Sequence, residues 1–494
     1  MTEALRVNGL DASSRLGGPG VSSPKQAERI ADGGIVHVLT CGSVDDGKST
    51  LIGRLLWDVA DLPEDARAAV IQSPLPDGRL DLSRLVDGLA AERQQGITID
   101  IAWRYFDAGS RRYVIIDSPG HEQYTRNMAT GASHADVAIM LVDARHGVKP
   151  QTRRHAAILG LMGVRRVILA VNKMDLVDCS EVQFRKIESD FRALTSRFSF
   201  ENAVAIPVIA TAGDNVAMPS STMSWYAGPT LIEELNGIAP FIPSESASFR
   251  MPIQIVVRRA PDFRGLAGTI SSGSIVVGAT VADSTSGRAA RVRRIATMDG
   301  DLEFANVGQA IVLQLDRDLD ISRGAVLTAP DSLMQRTTRI DARLFWMSEM
   351  AFDPGRRLLL RSATDVTSVS SVRVTAKLEL ETLAEIGATT CEHNDVVLAS
   401  ITLGRPAALD RFSDHKGTGA IVLIDALTGA TLAGGGVVDL HEGAGAETSR
   451  FQLTAMLAEG VCMGLDPSTP EFHHRAKAVA DILRAAGVDV DVAA

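Results

Sequence analysis

The chain has 494 residues, 45% of them hydrophobic, with 50 Lys and Arg against 60 Asp and Glu and a formal charge of −10. That length is enough for two to four domains, no apolar run approaches the ~18 residues a membrane span needs, and the acidic balance argues against a surface built to grip phosphate backbones. Cys41, Cys179, Cys391 and Cys462 are scattered without a C-x-x-C pair, which argues against a disulfide scaffold and fits a reducing cytoplasm.

Residues 1–34, rich in Gly, Ser, Pro and charge, read as a flexible extension. Met1-Thr2-Glu3-Ala4 lacks the basic and apolar regions of a secretion signal. From residue 35 the pattern changes to apolar strands alternating with helices over 35–242, which predicts a parallel sheet covered on both faces. Ile35 to Thr40 is a β-branched, apolar strand, and Leu51, Leu55 and Leu56 stand at helical spacing. Between them Gly42, Ser43, Val44, Asp45, Asp46, Gly47, Lys48, Ser49 and Thr50 fit the phosphate-loop pattern G-x-x-x-x-G-K-S/T. The glycines let consecutive N–H groups turn inward at phosphate oxygens, Lys48 reaches the β/γ-phosphates, and the Ser49 hydroxyl can ligate Mg²⁺.

Glu92-Arg93-Gln94-Gln95-Gly96-Ile97-Thr98-Ile99 follows and fits a loop that orders around γ-phosphate and Mg²⁺, with Thr98 as a second hydroxyl ligand. Tyr113 to Ile116 is a buried-strand run ending in Asp117, then Ser118, Pro119, Gly120 and His121. Asp117 is expected to hold Mg²⁺ through water, the Gly120 amide to sense the γ-phosphate, and His121 to orient the attacking water. Val167 to Val171 is another apolar strand, ending in Asn172, Lys173, Met174 and Asp175. A carboxylate at the last of these positions can accept both N1–H and N2–H of guanine, a pair that adenine lacks. The expected ligand is therefore GTP, with His121, Lys48 and Thr98 as the catalytic set.

Met223 to Pro229 leads into a last helix around Thr230 to Asn236, and Pro240, Pro243, Ser244 and Ser246 mark a linker. After 248 short strands appear between Gly and Asp/Ser clusters: 253–258, 268–272, 274–277, 291–295 and 310–315. They predict an antiparallel β-barrel over 245–335, and a further set predicts a second over 336–440. In 441–494, Thr469-Pro470-Glu471 looks like a helix start, with Ala476, Val479, Ile482 and Leu483 as an apolar stripe ending at Gly487. His473, His474 and Cys462 have poor metal-ligand spacing.

Glu-Arg-x-x-Gly-Ile-Thr-Ile together with Asp-x-Pro-Gly-His resembles the translation-factor superfamily of GTPases. Elongation factors usually carry a His before the second loop glycine and then Gly-Lys-Thr-Thr, whereas this chain has Asp46 followed by Gly47, Lys48, Ser49 and Thr50. Residues 42–50, 96–106, 120–133 and 172–176 are similar to the large subunit family of bacterial sulfate adenylyltransferase, and the likeness extends over roughly 35–436. The resemblance implies an α/β P-loop GTPase domain followed by two antiparallel β-barrels. It also implies a smaller catalytic subunit that forms adenylylsulfate and pyrophosphate from ATP and sulfate, with GTP hydrolysis coupled to that step.

Adenylylsulfate kinase is a further partner the resemblance brings into view, although no second phosphate loop follows residue 436. The family's fifth guanine motif maps to Ile209-Ala210-Thr211; its usual serine is absent, and the Ala210 amide is expected to meet guanine O6. Neither nucleic acid nor membrane is an expected partner. The rival readings are an aminoacyl-tRNA carrier, expected to bind in a salt-dependent way, and a GTP-dependent scaffold with little turnover.

Overall fold

Strands that are apolar at nearly every position have to be covered on both faces, and two such runs lie at the middle of the first sheet in the computed structural model. The structure describes residues 35–72, 74, 78, 80–86, 100–108, 111–238, 248–258, 263–379, 382–441, 451–453, 469 and 490–492. The sheet contains β1 Ile35–Gly42, β2 Ala102–Ala108, β3 Arg111–Asp117, β4 Val137–Asp143, β5 Arg166–Asn172 and β6 Asn202–Pro207. Their order is β2-β3-β1-β4-β5-β6, with β2 antiparallel and the other neighbours parallel.

Helices α1 Lys48–Val59, α2 Glu64–Ile71, α3 Thr125–His134, α4 Pro150–Leu161, α5 Glu181–Thr195 and α6 Leu231–Gly237 connect and cover these strands. Period-two alternation divides the core. Val137, Ile139 and Leu141 of β4 pack with Leu51, Ile52 and Leu55 of α1 and Leu231 of α6. Ala138, Met140 and Val142 pack with Met128 of α3, Leu159 of α4, and Phe184 and Phe191 of α5. Each large side chain buried this way contributes about 1.5–3 kcal/mol. The helix expected from Thr230 begins one residue later because Thr230 caps it, accepting the Glu233 N–H at 3.3 Å while Glu233 accepts the Thr230 N–H at 2.8 Å.

Two closed six-stranded barrels follow. In the first, Thr280–Asp283, Val326–Thr328, Arg250–Arg258, Arg264–Thr269, Ala310–Leu315 and Ala289–Thr297 are bonded in that order, and the last pairs with the first. The strand expected at 268–272 thus runs over Arg264–Thr269 instead. Gly268 is not a break: a Cβ there would stand 2.3 Å from the Pro252 carbonyl oxygen, so glycine permits the close strand approach. In the second barrel, Leu358–Ser362, Ala420–Asp425, Thr431–His441, Gln335–Trp346, Val396–Leu409 and Asp365–Leu378 close in the same manner.

The second barrel rests on the helical layer of the GTPase domain, its Phe345 and Val396 sharing the core of α3, α4 and α5. The two barrels are joined by a buried pair in which Arg250 Nε lies 3.1 Å from Asp410 Oδ2, and Thr418 Oγ1 donates to the same oxygen at 2.6 Å. Beyond residue 441, Phe451–Leu453 pairs in parallel with Val490–Val492. The helix expected after Thr469, and His473, His474 and Cys462, lie outside the described residues. Among the described residues no helix is long and apolar enough to cross a membrane.

Candidate functional site

Parallel strands deliver their carboxyl ends to one edge of the sheet, and a crevice opens there where the strand order reverses beside β1. The phosphate loop leaves β1 at this edge. Gly47 has φ 97° and caps α1 without any side-chain hydrogen bond, and the first turn of α1 holds no acidic residue. The leading N–H groups therefore point out of the helix free of a side-chain cap, with the positive end of the helix behind them. Asp45 also takes a left-handed backbone, φ 64°. The Asp46 carboxylate, 1% exposed, folds inward, accepting the Ser43 N–H at 2.8 Å and pairing with Lys149 Nζ at 3.3 Å. The Ser43 hydroxyl is buried without a partner among the described residues. Ser49 and Thr50 are half-buried in the first turn, and Val44 is exposed.

Lys48 Nζ donates to the Gly42 carbonyl at 3.0 Å and to the Ser43 carbonyl at 2.8 Å. Burial pulls its pKa below the ordinary range, against the attraction of Asp117 and Asp46. Asp117, 1% exposed at the end of β3, accepts from Thr40 Oγ1 at 3.1 Å, and Ser118 Oγ donates to the Thr40 carbonyl at 2.6 Å. The turn through buried Pro119 then closes over the loop. A Cβ on Gly120 would stand 2.9 Å from the Gly42 carbonyl oxygen and 2.3 Å from Lys48 Nζ, so a side chain here would have to displace the phosphate-loop backbone as well as the ammonium. His121 is exposed, with Nδ1 accepting the Gln123 N–H at 3.3 Å. Thr98 lies outside the described residues.

The third segment is tied directly to the first. Asn172, 3% exposed at the end of β5, donates from Nδ2 to the Asp46 carbonyl at 2.9 Å, and its Oδ1 accepts the Ala210 N–H at 3.0 Å. The Ala210 amide, expected to face the base, is thus engaged by Asn172. A Cβ on Gly47 would stand 2.5 Å from Asn172 Nδ2, so the loop glycine is required by this bridge as well as by its own φ. Lys173 has φ 62° and reaches over the loop to donate to the Asp45 carbonyl. Met174 is fully buried, while Asp175 is exposed and carries no hydrogen bond among the described residues, leaving its carboxylate free to accept.

Four supporting residues were missed by motif reading. Arg54 of α1 donates to the Ala210 carbonyl at 3.2 Å and the Thr211 carbonyl at 2.6 Å, clamping the fifth guanine loop from below. Asp143, beside Asn172 in the β4–β5 register, lies 3.2 Å from Lys173 Nζ and 2.7 Å from Arg145 Nη2. Burial pushes its carboxyl up, but the hydrogen bonds from Arg145 and Lys173 outweigh that and hold it well below the usual carboxylate range. Lys149 is the partner of Asp46. A signal existed for Asp143, because 137–142 is an apolar run ending in a carboxylate, as is 113–116 before Asp117. No local pattern marks Arg54, Arg145 or Lys149.

A strand-loop-helix cradle, a buried carboxylate at the end of a neighbouring strand and an Asn-Lys-x-Asp segment hydrogen-bonded to the cradle define a P-loop guanine-nucleotide-binding protein. The family model for the elongation factor Tu GTP binding domain matches residues 34–243, and that for the GTP-eEF1A C-terminal domain-like family matches 339–438. GTP is accordingly the ligand of this cleft. Sulfate adenylyltransferase subunit 1 of Colwellia psychrerythraea is 41% identical over 85% of this chain and 91% of its own length. The corresponding protein of Methylorubrum populi is 44% identical over 81% and 86%. The bifunctional enzyme NodQ of a Rhizobium species is 44% identical over 85% of this chain, which spans 65% of the NodQ length. Among solved structures, sup35 complexed with GMPPNP aligns over 82% of this chain and 94% of that one at 24% identity, with a TM-score of 0.39. The chain belongs to the sulfate adenylyltransferase subunit 1 family.

Proposed function

We propose that the chain is the GTPase subunit of a sulfate adenylyltransferase, in which GTP hydrolysis drives a smaller catalytic subunit to make adenylylsulfate and pyrophosphate from ATP and sulfate. The observation that carries the reading is the Asn172 bridge: one side chain ties the phosphate loop at Asp46 to the Ala210 loop, in a chain whose relatives are named subunit 1 along most of its length. Asp175, exposed beside that bridge, accepts N1–H and N2–H of guanine. The Ala210 N–H is shared between Asn172 and guanine O6.

Lys48 holds carbonyls where phosphate oxygens would be its natural partners, so nucleotide entry exchanges two neutral acceptors for charged ones. The Gly120 turn packs against Lys48 with no side chain between them, so its amide stands where a γ-phosphate would be sensed and His121 follows it directly. Lys48 and the amides of 43–50 neutralise charge developing on the transferred phosphoryl group, and His121 orients the water. The donors fit Mg²⁺, which takes oxygen ligands and is commonly held by only one or two protein groups together with substrate phosphates. Ser49, Thr98 and, through water, Asp117 would hold it, and when bound it supplies positive charge to the β- and γ-oxygens.

A phosphosulfate anhydride is strongly uphill to form, which gives GTP hydrolysis a thermodynamic role. The free thiols Cys41, Cys179 and Cys391 agree with a cytoplasmic site of action. Adenylylsulfate kinase, consuming the product, is a second candidate partner. The test is GTP hydrolysis by the purified chain, alone and with the small subunit, with ATP and sulfate present or omitted. A rate increase that requires the partner and both substrates is expected. A rate unchanged by partner and substrates, with both proteins folded and binding, would favour a scaffold, and GTP-dependent capture of aminoacyl-tRNA would favour a carrier.

A further inference from the structure

Glu122, the residue after His121, is held from two sides. Its carboxylate lies 2.6 Å from Nη1 of Arg154, on α4. Its carbonyl accepts from Nδ2 of Asn394 at 3.3 Å, across the interface from the second barrel, and from Thr125 Oγ1 at 2.6 Å. Arg154 is itself held, donating to Gln151 Oε1 at 2.7 Å, and Gln151 meets the fully buried His155 at 2.9 Å. The side chain of Arg154 is 17% exposed and that of Glu122 60% exposed. An ion pair with so exposed a partner adds little to stability, yet its short, charge-assisted geometry fixes where the backbone beside His121 can sit.

Asn394 is equally specialised. It is 6% exposed, adopts φ 69° and leaves its Oδ1 buried without a partner among the described residues. A left-handed backbone and an unpaired buried oxygen are both unfavourable. They place the Asn394 amide against the Glu122 carbonyl, the one hydrogen bond its side chain makes among the described residues.

We propose that Arg154 and Asn394 are positioning residues for GTP hydrolysis, acting through Glu122 to set how His121 is presented to the attacking water. This rests on the reading of His121 as the water-orienting group. The consequence is that the seating of the second barrel on the GTPase domain regulates turnover: when the barrel shifts, Asn394 leaves Glu122 and the backbone beside His121 loses its hydrogen bond from the barrel. A displacement of about 1 Å at such a group can cost about 100-fold in rate.

The test is single-turnover hydrolysis by the full chain preloaded with GTP, with GTP affinity and thermal unfolding measured in parallel, on Arg154→Ala, Arg154→Lys, Asn394→Gly and His121→Ala. Glycine at 394 keeps the left-handed backbone while removing the amide. Expected are a roughly 100-fold slower His121→Ala and about 10-fold slower Arg154→Ala and Asn394→Gly, with GTP affinity within about twofold and partial recovery in Arg154→Lys. In the His121→Ala background neither Arg154→Ala nor Asn394→Gly should slow hydrolysis further. Normal rates in Arg154→Ala and Asn394→Gly beside a slow His121→Ala would overturn the positioning role and leave His121 standing. Equal further slowing in the His121→Ala background, or loss of rate only in step with GTP affinity and melting temperature, would overturn it too. A normal rate in His121→Ala would remove the reading of His121 and this inference with it.

Discussion

Asn172→Ala probes the joint between base recognition and phosphate binding. The substitution removes a side chain 3% exposed and leaves the Asp46 carbonyl and the Ala210 N–H without the partners they have at 2.9 and 3.0 Å. Each buried group so orphaned costs about 1–3 kcal/mol, and the two together therefore about 2–6 kcal/mol. At the lower limit, a loss expressed in the bound state weakens GTP by about 30-fold. Expressed in the fold, it lowers the melting temperature by roughly 4–8 °C for a domain of this size. Thermal unfolding without nucleotide, repeated at saturating GTP, separates the two, because the fold term appears in both scans and the binding term only in the difference. A melting temperature within about 1 °C of the parent, with GTP affinity within about twofold, would refute the argument that Asn172 holds the two loops together.

Three further outcomes are expected. Asp175→Asn should shift preference from guanine towards xanthine nucleotides, since the carboxamide can donate to the xanthine O2; competition assays showing unaltered guanine preference would take Asp175 out of the base site. Burial, with Lys48 and Arg154 nearby, pushes the His155 imidazole down from 6.5 to about 3. Between those values the unfolded chain binds a proton that the folded one does not. Stability is thus fully present above the unfolded value and falls with decreasing pH, by up to about 1.4 kcal/mol per pH unit. His155→Asn should flatten that slope on the acid side of 6.5 in denaturant titrations, and a parallel slope would contradict the assignment. Asp410→Ala leaves Arg250, 3% exposed, as a buried charge without its partner, at a cost of roughly 3–5 kcal/mol. Arg250→Met in the same chain should recover part of it, and equal melting temperatures for parent and single variant would argue against the pair as the joint between barrels.

What was legible in the sequence was local. Gly42 to Thr50, Asp117 to His121 and Asn172 to Asp175 each sit at the end of an apolar strand, and the strand and its loop are read together over a few residues. The barrels were legible as classes because short strands alternate with glycines, yet their edges were displaced where Gly265 and Gly268 stand within a strand rather than end it. What stayed hidden was every contact between distant segments. Asn172 is 126 residues from Asp46, Arg54 is 156 from Ala210 and Asn394 is 272 from Glu122. Such pairs follow from sheet order and domain seating, which no local period encodes. The Ala210 amide shows the same limit: its assignment to guanine O6 took no account of Asn172, which reaches it through the sheet register.

The most direct measurement is the yield of adenylylsulfate at equilibrium, made by this chain with its small subunit from ATP and sulfate. It should be compared with GTP, with a non-hydrolysable GTP analogue, and with Lys48→Ala in place of the parent. Coupling requires adenylylsulfate to rise above its GTP-free level only when GTP is hydrolysed by the intact phosphate loop. An adenylylsulfate level independent of GTP, or raised equally by the analogue, would contradict the assignment of this chain as the subunit that drives the reaction uphill.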